Sequence, residues 1–215
     1  MKLPRFRRAP TVHELIRRHY EKVWGKNRVE EVHWTPGHMS ARLPNFHIAR
    51  VPPTEANGMW TYATIGAWEA TQDEEHCLEF VAVDRSGGSR IMENLMLLAW
   101  YHAGPPENRL GVGHTVPKGE PWVEGSPMDY TLISLPYLWG PTLEHLDAGE
   151  RHIQVLWALP IYEVESDFRA AFGLEALESR FEERLPSDFY LDPQRPSVVS
   201  VGEAPRLSLD EQAEE

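Results

Sequence analysis

The chain has 215 residues, 41% of them apolar and 25% charged; this balance excludes wholesale disorder and gives enough length for one large domain or two small ones. A net charge of −12 argues against a general nucleic-acid binder, and the lone cysteine, Cys77, excludes an intrachain disulfide and fits a reducing, cytoplasmic compartment. No apolar run approaches the roughly 18 residues of a membrane span, so neither a membrane nor a nucleic acid is expected as a partner.

Residues 1–9 read as a basic leader without the apolar core of a secretory signal. Nine of the 21 Lys and Arg precede Val29, while the tail 203–215 is mostly acidic and reads as disordered. The plain reading of this asymmetry is solvated surface. The sharper one is a basic patch that steers an acidic partner. The domain proper is expected over 10–202.

Thr11 and Glu14 form a capping-box pattern before a helix whose Val12, Leu15, Ile16, Val23 and Trp24 share a face, with Gly25 as its stop. Short strands are expected from Glu31 to Trp34 and around Phe46–Val51. Met59–Gly66 and Cys77–Asp84, rich in aromatic and β-branched residues, read as an antiparallel strand pair. Ser89 is placed to cap a helix from Arg90 to His102. Its apolar residues nearly encircle it, which predicts a helix packed in the middle of the protein. Thr131–Leu135 and Ile153–Leu159 are continuous apolar runs, as expected of central strands covered on both faces. The polar link Glu144–Arg151 between them suits a hairpin-type connection. Glu163–Phe172 and Leu174–Leu185 read as helices, with Leu174, Leu177, Phe181 and Leu185 on one face. The sum is a single α+β domain: a mixed, mostly antiparallel sheet with packed flanking helices.

The order of several short motifs adds to this reading. Trp60-Thr-Tyr-Ala-Thr-Ile-Gly66 precedes Leu78-Glu79-Phe80, and Leu110-Gly-Val-Gly-His-Thr-Val116 follows the long helix. Ser126-Pro127 then leads to Pro136-Tyr137, and Leu159-Pro160 to Glu163-x-Glu165-x-x-Phe168-x-x-x-x-Gly173. Asp192-x-x-Arg195-x-Ser197-Val198 closes the series. No one motif is specific, but the series, from about Met59 to Val199, resembles the Suppressor of fused (SUFU) domain family in its compact, single-domain bacterial form. The resemblance implies a mixed sheet with flanking helices and a protein that binds another protein without catalysis, in an immunity or regulatory role. Animal members have two domains and clamp a transcription-factor peptide between them as an added strand; the match is to the first domain, so the two-sided clamp does not carry over. Where animal members read Gly-Asp-His-Val, this chain reads Gly113-His114-Thr115-Val116, and an acidic contact is lost.

Direct chemical signals are sparse. The ten histidines form no His-Glu-x-x-His pattern, and one cysteine cannot build a thiolate site. His33, His38, His145 and His152 are assigned surface or capping roles, although His145 and His152 flank the expected hairpin. Gly87-Gly88-Ser89 reads as a turn with a helix cap. Glu163, Glu165 and Asp167 suit the dipole at a helix start, and Arg195 is expected to pair with a buried carboxylate. No catalytic residue, cofactor or metal site is assigned. The partner-binding candidates are Gly113, His114 and Thr115 in a glycine-rich loop, and Trp122, a hot-spot candidate if exposed. Two alternatives stand beside this reading: a small metal-dependent hydrolase using His114, and a structural subunit of a larger assembly.

Overall fold

Thr11 and Glu14 do form the capping box: Glu14 N donates to Thr11 Oγ1 at 3.2 Å and Thr11 N to Glu14 Oε2 at 2.9 Å. They start α1 (Val12–Trp24), which buries Ile16, Tyr20 and Trp24 and ends at Gly25. The computed structural model describes residues 8–33, 42–72, 76–200 and 202–203. Most of the expected leader, all of the tail beyond Glu203, Trp34, His38 and the loop residues 73–75 lie outside this set.

Among the described residues the sheet has eight strands: β1 (Glu30–Val32), β2 (His47–Val51), β3 (Trp60–Ile65), β4 (His76–Asp84), β5 (Thr115–Pro117), β6 (Tyr130–Ser134), β7 (His145–Ala148) and β8 (Arg151–Ile161). Their order is β1-β2-β3-β4-β8-β6-β5, with β7 alongside β8. Every pairing is antiparallel except β4 with β8. The mixed, mostly antiparallel sheet is therefore as expected, and so is the antiparallel pairing of β3 with β4.

Strand alternation divides the interior into two cores. On β8, Ile153, Val155, Trp157, Leu159 and Ile161 enter one, and Leu156 and Ala158 the other. Burying a Leu, Ile or Val side chain stabilises by about 1.5–3 kcal/mol, so β8 is the strand on which both cores close. The first core is covered by α1, by α4 (Glu163–Phe172) through Phe168, and by α5 (Leu174–Arg184) through Leu177 and Phe181. The second is covered by α2 (Ser89–His102) through Ile91, Leu95 and Leu98.

Several expectations need correction. The link Glu144–Arg151 is not a simple hairpin: the short α3 (Pro141–Glu144) leads into β7, which pairs with the first residues of β8 while β6 pairs with its last. Only the turn at Gly149 and Glu150 is hairpin-like. The residue before α2 is Gly88, and no side chain caps the helix. The preceding turn is held instead by Asp84 Oδ2, which accepts from Ser86 N at 2.9 Å and Gly87 N at 3.1 Å. Gly87 has φ +73, and a Cβ there would meet Trp60 Nε1 at 2.5 Å, so the turn requires glycine on both counts. The helix α2 is not enclosed on all sides, since Leu97 and Trp100 are 45% and 39% exposed.

Glu165 is more than a helix-dipole residue. It is fully buried and pairs with Arg195 through two bonds of 2.7 Å. Its carboxylate also accepts from Tyr162 N and Val198 N, both at 3.0 Å, so this expected partner of Arg195 fastens the chain near Ser197 to the start of α4.

Candidate protein-binding edge

The glycine-rich loop delivers β5 to the far end of the sheet. Gly113 N donates to Ile133 O at 2.7 Å and Ile133 N to His114 O at 2.8 Å; four residues after His114, Lys118 N donates to Asp129 O at 2.8 Å. Because ladder bonds alternate along an antiparallel strand, the even-numbered residues from His114 to Lys118 face β6. The backbone groups of Thr115 and Pro117 then point outward. Pro117 has no N–H, so the outward row consists of the Thr115 N–H and C=O and the Pro117 C=O. A proline and a three-residue length are devices that keep an edge strand from indiscriminate pairing.

Beside this edge lies a groove of about 210 Å³ between α2 and β5, lined among others by Leu97, Trp100, Val116, Pro117 and Lys118. Trp122 forms its floor. Trp122 is only 1% exposed, its Nε1 donates to Thr131 Oγ1 at 2.9 Å, and its carbonyl accepts from Asn94 Nδ2 at 2.8 Å. The expectation of an exposed hot spot at Trp122 is thus corrected: both polar groups are spent on β6 and α2, and the ring is core. On the groove wall, the Arg42 guanidinium sits 4.7 Å from the Trp100 ring. At one end Lys118 bonds Glu120 at 3.0 Å, and Arg90 pairs with Glu120 at 2.8 Å. Burial lowers the Lys118 amine from its usual range, and the bonds from Lys118 and Arg90 lower the Glu120 carboxyl.

The other expected site residues separate into two kinds. Gly113 is buried with φ +87, and a Cβ there would meet Arg169 Nη2 at 3.3 Å and Leu174 Cδ2 at 3.6 Å. Its place is structural, fixing the entry into β5. His114 is exposed and Thr115 half-buried, with Thr115 Oγ1 accepting from Ser166 Oγ on α4 at 2.8 Å. These two stand at the edge. Leu97 and Trp100 were missed because α2 is apolar on nearly every side. Their spacing of three, opposite the buried Ile91, Leu95 and Leu98, was the available signal.

Groups suited to catalysis do not converge here. Among the described residues His114 has no ion-pair partner. His145 and His152 do approach, with Nδ1 and Nε2 3.2 Å apart across the β7–β8 turn, far along the sheet from β5. Glu79 is fully buried; Thr64 Oγ1 donates to it, as do Gly66 N at 2.8 Å and Ala67 N and Trp68 N at 3.3 Å. Burial pushes this carboxyl up to about 7, against the pull of those donors. It anchors the 3₁₀ turn Ala67–Thr71 to β4. No helix among the described residues is long and apolar enough to cross a membrane.

Comparison with solved structures agrees with this architecture. A protein described as a SUFU homolog from Neisseria gonorrhoeae FA 1090 is 31% identical, with a TM-score of 0.75 over 88% of this chain and 97% of that one. The Sufu–Fu complex matches at 11% identity and TM-score 0.70, over 89% of this chain and 93% of that one. Drosophila Suppressor of Fused matches at 11% and 0.69, over 88% of this chain, which spans only 51% of that protein. At such identities the last two share the fold alone. No curated protein matches the chain significantly. The family model for Suppressor of fused protein (SUFU) matches residues 42–196, and with the 31% identical relative this establishes that the chain belongs to the SUFU family.

Proposed function

We propose that this chain is a non-enzymatic protein-binding module that takes an extended segment of another protein along β5, with an apolar side chain seated between α2 and β5. The observation that carries the reading is the coincidence of an outward-facing edge at Thr115 with two exposed apolar side chains, Leu97 and Trp100, across one groove. Strand addition at so short an edge supplies few hydrogen bonds, each worth about 0.5–1.5 kcal/mol net. The groove must then supply most of the affinity, through an anchor whose burial is worth about 1.5–3 kcal/mol. His114 and Thr115 flank the edge and set which side chains pass. The Sufu–Fu complex, whose fold this chain shares, supports a protein as the class of partner.

Sequestration of the partner in a cytoplasmic setting, as an immunity or regulatory factor, is the finer form of this proposal. The binding unit spans 10–202, with the basic leader and acidic tail as flanking segments. The test is affinity capture from the native cell with the tagged chain and with a Leu97→Glu/Trp100→Glu variant. A stoichiometric partner held by the parent chain and lost by the variant supports the proposal. Equal recovery by both moves the interface elsewhere. Repeated failure to recover any protein, with turnover in a substrate screen, favours the hydrolase alternative.

A further inference from the structure

Far from β5, at the opposite edge of the sheet, three metal-ligating groups meet. The β1–β2 register pairs Val32 with Ile48 and Glu31 with Ala49. Continued by one residue, it sets His33 directly across from His47, and strand alternation puts Glu31 on the same face as His33. One candidate ligand atom from each of Glu31, His33 and His47 lies within 4.8 Å of the others. Glu31 Oε2 is 3.4 Å from His33 Nε2 and 3.6 Å from His47 Nε2. Two donors about 2.0–2.1 Å from a tetrahedral zinc ion sit about 3.3–3.4 Å apart.

The surroundings select the ligand form of the ring. His47 Nδ1 lies 2.9 Å from Asn45 O, and a carbonyl oxygen only accepts, so Nδ1 carries the proton. In the neutral ring Nε2 then turns a lone pair toward the Glu31 carboxylate. Two such acceptors attract only with a proton or a cation between them. An Nδ1–H bonded to a backbone carbonyl is also the usual outer support of a metal-bound histidine. Arg17 engages Glu31 Oε1 and leaves Oε2 to the two imidazoles. A cleft of about 530 Å³ that includes Thr11, His13, His33 and His47 gives an ion access.

We infer that Glu31, His33 and His47 form a binding site for a zinc-type divalent transition metal, clipping β1 to β2 and leaving a fourth position for water or a donor from another molecule. Two imidazoles and one carboxylate suit zinc, nickel or copper rather than magnesium or calcium. The initial assignment of His33 to an ordinary surface role is replaced by this one. The inference stands apart from the β5 edge and does not depend on it.

The test is calorimetric titration of zinc into the chelator-treated full chain, repeated with His33→Ala, Glu31→Gln and a His145→Ala/His152→Ala control. The site requires one zinc per chain, a rise in Tm with zinc, and affinity reduced on the order of 100-fold by either single change. The control retains binding. His33 is exposed, so its replacement leaves the apo Tm unchanged and separates lost binding from lost folding. Absence of uptake below about 1 mM zinc, equal affinity in His33→Ala, or loss of binding in the control would overturn the inference.

Discussion

Replacing Arg195 with Met is the sharpest probe of what holds the C-terminal part of the domain in place. Arg195 is 2% exposed and its guanidinium lies near the Tyr162, Phe181 and Phe189 rings, so Met keeps most of the packing while removing the charge. Glu165 would remain fully buried without its counter-ion. Breaking a buried pair from one side costs about 3–5 kcal/mol. The carboxylate keeps Tyr162 N, Val198 N and the Ser197 hydroxyl as donors, so the lower end, about 3 kcal/mol, is expected. Glu165→Leu costs more, about 5 kcal/mol, since it leaves a buried cation and orphans two amides. In the double variant no buried charge remains, and the loss falls to about 2 kcal/mol, mostly from those amides. Urea unfolding followed by tryptophan fluorescence reads all three at constant m. Single changes below about 1 kcal/mol, or a double variant equal to the sum of the singles, would refute the reasoning.

Other outcomes follow from particular contacts. The Glu79 carboxyl is raised from 4.5 to about 7 in the folded chain, so between these values the native state holds the proton more tightly than the unfolded chain. Its contribution is therefore most favourable below pH 4.5 and is lost as pH rises to about 7. Relative to Glu79→Gln, stability should fall by about 3 kcal/mol across that window, and a flat difference in unfolding free energy would contradict it. Gly87→Ala should cost about 2–3 kcal/mol in the same unfolding assay, because the turn needs positive φ and the Trp60 ring fills the space a methyl would take. Trp122→Phe should cost about 1–2 kcal/mol by removing the donor to Thr131 while leaving the ring's place in the core occupied.

The sequence disclosed most where one residue's chemistry met a strict period. Thr11 and Glu14 announced α1, stretches rich in aromatic and β-branched residues marked β3 and β4, and a continuous apolar run marked β8. Long-range pairings were harder to read. Glu165 shows why: its position in a first helical turn has a sufficient local explanation, and only the fold brings Arg195 back 30 residues later. Trp122 sits among prolines and glycines, a loop composition that suggests exposure, yet its indole finds Thr131 and closes the second core. At the edge, Gly113, His114 and Thr115 were visible as a motif, whereas Leu97 and Trp100 were hidden by the apolar character of α2. Glu31, His33 and His47 could be joined only once the β1–β2 register was known.

Site-specific photo-crosslinking tests the binding edge most directly. A photoreactive side chain at Leu97, beside β5, should join to the captured partner in the native cell, while the same probe at Phe172, an equally apolar and 54% exposed position at the C-terminal end of α4, should not. Crosslinks at 172 with none at 97 would contradict the central claim that this sheet edge is where another polypeptide binds.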